Sequence, residues 1–276
     1  MTKCHLLLSA FLVLLLPASC RQSGAGPSLS EYGNQSEATQ RMRFEQYVRQ
    51  LLDASPQEAY RIQDSLLREA ENDSLHWQQL LELEDLFLLD PNSPYRDEER
   101  YLPVADRMLT AAFSTEEQRA HAAWLAPRLR LNTPGTPAAD FAYITPRGRR
   151  SSLYETIDGR NPGPRRTLLF FSNPGCPNCR EITEALAEDP DICAQTASGE
   201  LLVIDIYPDD DLQAWLDHVS EYPDNWICGY DPDQVLNSGT RYWLRAIPSL
   251  YLLDKDKRVL LKDAPLVRVL IDCKQR

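Results

Sequence analysis

The chain has 276 residues, of which 43% are hydrophobic and 25% charged, and this length accommodates one large globular domain or two ordinary ones. The formal net charge of −12 and the lack of a run of lysine and arginine argue against nucleic acid as the main partner. Seven cysteines are too few for a disulfide scaffold of this length, so each has to be weighed separately.

Residues 1–19 have the pattern of an export signal. Lys3 supplies the positive charge, and the apolar run at residues 6–16 is too short to span a bilayer comfortably. The run ends in LPASC, which resembles a bacterial lipobox and predicts that Cys20 is lipidated, although Pro17 stands where that motif usually has leucine. Ordinary signal-peptide cleavage is the alternative. Either route exports the mature chain to a compartment in which disulfides persist.

A polar, flexible tether is expected at residues 20–37, and helical spacing then repeats over residues 38–131 without a convincing strand pattern. N-terminal signals mark three of the helix starts, at Ser55-Pro56, Asp73-Ser74 and Ser114-Thr115. We therefore predict an all-α helical domain, to which the sequence assigns no function. The expected helices cover residues 38–53, 56–71, 74–89, 98–112 and 115–130.

Strands alternate with helices beyond a proline- and glycine-rich boundary at residues 132–137, which predicts a mixed α/β sheet over residues 134–276. The expected elements are a hairpin at 141–154, a buried strand at 167–171 followed by a helix, a buried strand at 201–206, a helix at 210–220, a short strand at 226–229, a helical stretch at 232–244, a hairpin at 249–262 and a closing segment at 266–273.

The stretch TLLFFSNPGCPNCR at residues 167–180 places Cys176 and Cys179 at a strand-to-helix junction. Unpaired backbone N–H groups and the positive end of the helix dipole at such a junction stabilise a thiolate at the first cysteine. The second cysteine lies one turn further on, close enough to close a disulfide. Pro177 suits the first helical turn because its missing N–H would have had no partner there.

Two cysteines separated by two residues are ambiguous, because the spacing also occurs in zinc sites and metal-trafficking loops. Zinc needs four ligands, and the mature sequence has no second Cys-x-x-Cys and no His-x-x-x-His, so no metal or organic cofactor is expected. The flanking strand and helix and the exported location favour a redox pair, with a structural disulfide that does not turn over as the alternative. So does Ile247-Pro248, which precedes a strand about seventy residues downstream and suggests a cis peptide bond.

At these residues the sequence resembles the thioredoxin fold, and within it the TlpA/ResA-like thiol–disulfide oxidoreductases and the related AhpC/TSA group. The resemblance covers residues 134–276 and is carried by ADFAYITPRGRRSSLYE, TLLFFSNPGCPNC and AIPSLYLLDKDKRVLLKD. The whole arrangement is similar to periplasmic lipoproteins of the Bacteroides type, whose helical N-terminal domain has no assigned function. The stretch LFLLDPNSPYRDEERYLPV resembles that domain.

The resemblance implies a role for each matching residue. Cys176 is the expected nucleophile, which attacks a partner's disulfide as a thiolate, and Cys179 resolves the mixed disulfide. Pro248 is expected to be cis, with Ile247 presenting backbone groups that pair with the substrate strand. The implied partners are protein thiols and disulfides, an upstream membrane or periplasmic thiol donor, and the membrane through the N-terminal lipid. Isoleucine before the cis-proline resembles reductases, so a periplasm-facing, envelope-anchored reductant is expected.

Two departures from the family pattern concern the active-site stretch. Thioredoxins often bury an acid six positions before the first cysteine, where this sequence has Phe170, so no proton acceptor for the resolving thiol is evident. Asn173-Pro174-Gly175 replaces the usual aromatic residue before that cysteine. Two other functions stay open. One is a peroxiredoxin-like peroxidase, which would place threonine at position 173, and the other is a lipid-anchored binding module that uses the fold as a scaffold.

Four cysteines lie outside the Cys-x-x-Cys motif and the lipobox. Cys4 is removed with the signal, and Cys193, Cys228 and Cys273 are expected to be buried small hydrophobic residues. A Cys193–Cys228 bridge is the alternative, which the sequence does not decide because it supplies no geometry.

Overall fold

The computed structural model describes residues 36–274, so the predicted signal, the lipidation site Cys20 and most of the predicted tether lie outside the described chain. Among residues 36–274 no helix is both long and apolar enough to cross a membrane. The first part of this chain is helical. Its helices are α1 Glu37–Asp53, α2 Pro56–Ala70, α3 Ser74–Glu84, the π-helix Asp85–Leu89, α4 Glu98–Met108 and α5 Glu116–Leu129.

Side-chain caps start these helices close to the positions that the sequence predicts. Ser55 Oγ accepts the backbone N–H of Glu58, and Thr115 forms a capping box with Gln118. Such caps satisfy N–H groups that have no partner within the first helical turn. The apolar faces of the helices then meet in one core around the fully buried Trp77.

The second part of the described chain forms one seven-stranded mixed sheet with the order β2-β1-β5-β4-β3-β6-β7. Strands β3, β4 and β5 run parallel to one another, and the remaining neighbours pair antiparallel. The strands are β1 Ala142–Ile144, β2 Arg150–Ser152, β3 Arg166–Phe171, β4 Leu201–Tyr207, β5 Ile227–Tyr230, β6 Ser249–Asp254 and β7 Val259–Leu261.

Helices cover both faces of this sheet. They are α6 Leu153–Asp158, α7 Pro177–Glu188, α8 Pro190–Ser198, α9 Leu212–His218 with the 3₁₀ turn Val219–Glu221 after it, and α10 Leu266–Lys274. Helices α7, α8 and α10 pack on the face that carries Leu168 and Phe170, whereas α6 packs on the face that carries Leu169 and Phe171. Successive residues of a strand point to opposite faces, which is why an uninterrupted apolar strand serves two cores.

Two predictions about elements are wrong. The stretch 232–244 is a series of turns, because the Asp231 carboxylate accepts the backbone N–H of Leu236 and Gln234 has a φ of +51°, which a right-handed helix does not allow. Residues 153–154 begin α6 instead of ending the first hairpin, because a capping box starts a helix at this point.

Candidate functional site

The two cysteines of the motif lie where β3 ends and α7 begins, at the carboxyl end of a parallel strand. An asparagine shapes the intervening turn: Asn173 Oδ1 accepts the Gly175 N–H at 2.9 Å, and its Nδ2 donates to Asp209 at 2.6 Å. Pro177 occupies the first turn of α7. Cys176, the residue before Pro177, is therefore at the N-cap position of α7.

The sulfur of Cys176 is itself the helix cap. The backbone N–H of Cys179 donates to Cys176 Sγ over 3.3 Å. A backbone donor at a helix N-terminus stabilises negative charge that develops on a sulfur. Cys176 is half-buried, whereas Cys179 is only 2% exposed. Cys176 is therefore the sulfur of the pair that an outside molecule can reach.

The Ile247–Pro248 peptide bond is cis and lies beside this first sulfur. Cys176 Sγ is 3.7 Å from the carbonyl oxygen of Ile247, close enough for a weak S–H···O hydrogen bond. The sheet explains the proximity, because Phe171 at the end of β3 pairs with Ser249 at the start of β6. The loop before β6 and the turn after β3 therefore meet at the same end of the sheet.

A crystal structure of a thioredoxin-like protein from Bacteroides caccae is similar to this chain over its whole length. The TM-score is 0.80 and the sequence identity 29%, with 99% of each chain covered. The chain has a thioredoxin-like fold. The predicted fold class, a helical region followed by a thioredoxin-like mixed sheet, is thereby confirmed.

Other comparisons concern parts of this chain. A family model described as a domain of unknown function, DUF5106, matches residues 30–127. The C-terminal domain of an uncharacterized protein from Bacteroides fragilis is 42% identical, with 52% of this chain and 99% of that one covered and a TM-score of 0.49. A conserved protein of unknown function from the same species is 34% identical, with 51% and 98% covered and a TM-score of 0.47. No curated protein matches the chain.

The thioredoxin-like sheet brings four of the predicted site residues together at one end: Cys176, Cys179, Ile247 and Pro248. The predicted lipidation site, Cys20, lies outside the described residues. The roles that the sequence suggests for these residues stay predictions. Within residues 36–274, no group of three or more His, Cys, Asp or Glu side chains is arranged to hold a metal ion.

A buried carboxyl group adjoins the cysteines, and sequence reasoning does not reveal it. Asp205 of β4 is in register with Phe170 of β3 and Cys228 of β5, and it is fully buried. Residues in register project to the same face of a sheet, and Phe170 shares a core with Cys179. Asp205 therefore lies on the face that α7 covers, on the same side of the sheet as the second sulfur.

Among residues 36–274, only one oxygen of this carboxyl group accepts a hydrogen bond. Ser172 Oγ donates to Asp205 Oδ1 at 2.6 Å and lies 2.8 Å from the Tyr222 hydroxyl, while Oδ2 has no hydrogen-bond partner among residues 36–274. Burial raises the pKa of Asp205 to about 8, against the opposing effect of the Ser172 hydrogen bond. Burial also raises the pKa of Cys179, and the adjacent Cys176 sulfur and the charge of Asp205 add to the effect. The charge of the Asp205 carboxyl group therefore acts on the second thiol.

The three other described cysteines are free thiols. Cys193 is exposed, so the prediction that it is buried is wrong: α8 turns Ile192 into the core and the next residue outward. Cys273 is buried, and Cys228 is half-buried with a pKa that is raised by burial and then by the charge of Asp205. The alternative of a Cys193–Cys228 bridge does not match a structure that holds both as free thiols.

Proposed function

We propose that the protein is an envelope-anchored thiol–disulfide oxidoreductase that exchanges disulfides with other proteins through Cys176 and Cys179 and acts as a reductant. One observation carries the proposal: the Cys176 sulfur contacts both the Cys179 backbone N–H and the Ile247 carbonyl oxygen. A reachable sulfur at a helix N-terminus, a second sulfur behind it and a backbone edge beside it are the parts that disulfide exchange requires.

The exchange proceeds in two steps. The Cys176 thiolate attacks one sulfur of the partner's disulfide, that disulfide breaks, and the other partner sulfur leaves as a thiolate that takes up a proton. Cys179 then loses its proton and attacks the Cys176 sulfur, which breaks the mixed disulfide and releases the second partner thiolate. Two electrons pass to the partner, and the Cys176–Cys179 disulfide remains.

The loop before β6 supplies the surface against which the partner lies. The Ile247 carbonyl faces the attacking sulfur and residues 243–248 are partly exposed, so an extended partner segment can pair with the backbone of this loop. Main-chain pairing of this kind depends little on partner side chains. It therefore suits an enzyme that acts on the cysteines of several proteins.

Asp205 is the group that we propose accepts the proton of Cys179 during the second step. Its Oδ2 is free of hydrogen bonds from the described residues, and its side chain lies on the sheet face that α7 covers. The S–H proton moves to this oxygen, and the electron pair that stays on sulfur attacks Cys176. The buried acid that the sequence lacks at Phe170 is thus supplied by the neighbouring strand.

The envelope anchor in this proposal comes from the lipobox-like sequence before Cys20. Fractionation of cells that express the full chain tests it: the wild type should sediment with membranes, and Cys20→Ala should lose that association. Recovery of both proteins in the same fraction would contradict lipid anchoring and would leave the exchange chemistry untouched.

Insulin reduction in the presence of dithiothreitol tests the exchange chemistry. The wild type should accelerate precipitation of the insulin B chain, and Cys176→Ser should reduce the rate to background. Cys193→Ser is the matched control, because it removes an exposed thiol outside the site and should keep wild-type activity. Background rates for all three proteins would refute the proposal and favour the binding module.

A further inference from the structure

The segment that leads into the Ile247–Pro248 bond is packed against the helical region. Trp243 contacts the helical core, and its ring forms a T-shaped pair with Trp124 on α5, with ring centroids 5.8 Å apart. Asn132, just beyond α5, donates to the carbonyl oxygen of Arg241 at 2.7 Å. The helical region therefore holds this segment over several residues, by apolar packing and by hydrogen bonding.

A buried ion cluster continues the connection to within two residues of Ile247. Glu98 opens α4 and its side chain is 1% exposed. Its carboxylate pairs with Arg245 Nε at 2.9 Å and with Lys262 Nζ at 2.7 Å, and these two cations are 7% and 3% exposed. Lys262 also donates to the carbonyl oxygen of Leu129 at the end of α5. Charges this deeply buried fix their partners in place, because losing a partner is costly where water cannot replace it.

The far side of the proline is tied to the same cluster. Ser249 Oγ donates to Asp263 Oδ1 at 2.8 Å, and Asp263 Oδ2 pairs with Arg245 at 2.7 Å. Arg96, just before α4, donates to the backbone carbonyl oxygens of Asp263 and Ala264 at 3.0 and 3.2 Å. Both flanks of the Ile247–Pro248 bond are thus linked through a few short contacts to the start of α4.

From these contacts we infer that the helical region, the part that matches a domain of unknown function, holds the substrate-binding loop in register with Cys176, and that Glu98 is a positioning residue for this loop. The inference rests on the proposed function, because it takes the loop to be the surface that pairs with the partner protein. Glu98 acts through Arg245 and the cluster and does not itself touch the partner.

This arrangement predicts an effect on protein substrates that small reagents do not share. A partner protein must fit the loop and the sulfur at once, and small displacements of a positioning group lower such rates strongly. A small alkylating agent needs only the sulfur, whose contact with the Cys179 N–H lies at the N-terminus of α7 and does not involve Glu98. Loss of the Glu98 charge should therefore slow the reaction with a protein substrate and leave the alkylation of Cys176 unchanged.

The test compares Glu98→Gln with Glu84→Gln in the exported full chain. Glu84 is the matched control: it is also a fully buried glutamate of the helical region, but it bonds to Tyr47 and Gln63 and not to the loop. For Glu98→Gln we expect the KM for insulin to rise about tenfold or more, with kcat and the rate of Cys176 alkylation by iodoacetamide within about twofold of wild type. For Glu84→Gln all three should stay within about twofold. An unchanged KM for Glu98→Gln, or equal losses in insulin reduction and alkylation, would overturn the inference.

Hydrogen exchange of the loop gives a readout that does not need activity. Amides in residues 241–250 should exchange about tenfold faster in Glu98→Gln than in the wild type, and Glu84→Gln should leave them unchanged. If Glu98→Gln fails to fold, Ser249→Ala breaks the link on the other flank with less disturbance, and it should raise the same KM and exchange rate. If the wild type does not reduce insulin, the proposed function alone is refuted. If none of the variants changes the hydrogen exchange of the loop, the positioning role is refuted.

Discussion

Asp205→Asn should make the protein more stable at high pH and less active. The pKa of Asp205 in the folded chain is about 8, above the value of about 3.9 in an unfolded chain, so the unfolded state releases this proton first. The stability that the neutral carboxyl provides is fully present below about pH 4 and is lost as the pH rises to about 8. A shift of about four units corresponds to a loss of about 5 kcal/mol at high pH.

The Asp205→Asn variant does not lose this stability at high pH because asparagine stays neutral. Its amide oxygen can still accept the Ser172 hydrogen bond. Its amide nitrogen replaces Oδ2, which has no partner in the described chain, and an unpaired buried N–H group costs about 1–3 kcal/mol. The variant should therefore be about 2–4 kcal/mol more stable than wild type at pH 8.5 and about 0.5–2.5 kcal/mol less stable at pH 4. Urea denaturation at the two pH values measures both differences.

The activity should change in the opposite direction. The activity is measured by stopped-flow mixing with Ellman's reagent in a Cys193→Ser background. Attack by Cys176 releases a first thionitrobenzoate. Attack by Cys179 then releases a second one, at a rate that does not depend on the reagent concentration. About one tenth of Asp205 is ionised at pH 7 and most of it at pH 9. The rate of the second release should therefore rise about tenfold between these pH values in the parent protein. In Asp205→Asn it should be at least about tenfold slower at pH 7 and lose the midpoint near pH 8, because the thiolate fraction of Cys179 alone then sets the pH dependence. A variant whose second release keeps the parent's rate and pH profile would refute the role of Asp205.

Three further changes follow from the same contacts. Ser172→Ala removes the hydrogen bond that lowers the pKa of Asp205, so the pH midpoint of the second release should move above about 8. Cys179→Ser should stop after the first release and accumulate a mixed disulfide at Cys176, visible as added mass on the intact protein. Gly229→Ala should lower the free energy of unfolding by about 1–3 kcal/mol in urea, because a methyl group there overlaps the ring of Tyr143.

Two of these changes, Ser172→Ala and Gly229→Ala, have a control within the chain. Ser198→Ala alters an exposed hydroxyl that bonds only locally, to the Gln195 carbonyl oxygen and the Glu200 N–H, so the pH midpoint should stay in place. A Cβ at Gly163 would meet only the Arg160 carbonyl oxygen at 3.9 Å, so Gly163→Ala should change the unfolding free energy by less than about 0.5 kcal/mol. Equal losses at Gly163 and Gly229 would contradict the packing explanation, and equal midpoint shifts at Ser198 and Ser172 would contradict the hydrogen-bond explanation.

Local chemistry explains why the helical region is predictable from the sequence. Ser55 and Thr115 are single residues whose side chains each accept a backbone N–H of the helix that follows. The sequence therefore predicts where α2 and α5 begin. Helix ends carry weaker signals. The helix expected at 74–89 becomes π-helical at Asp85–Leu89, which a 3.6-residue period does not distinguish from a continuous α-helix.

Contacts between distant segments explain what the sequence does not reveal. Asp205 is a single charge within LLVIDIY, and only the parallel pairing of β3, β4 and β5 places it on the face that Cys179 shares. That lone charge in a buried strand is the signal that could have drawn attention to it, since a carboxyl group without a cation partner is seldom buried there. Glu98 and Arg245 lie in regions that have no sequence pattern in common, so their pairing follows from the fold alone.

The use of a sulfur as the cap of α7 gives the protein an internal redox reporter. In most helices an oxygen side chain holds the first amides, and it does not change during function. Here the amide proton of Cys179 points at the atom that forms and breaks covalent bonds. The nuclear magnetic resonance signal of this one amide should therefore shift with each covalent state of Cys176, so that the reduced, mixed and internally bridged forms can be counted without a dye or an added label.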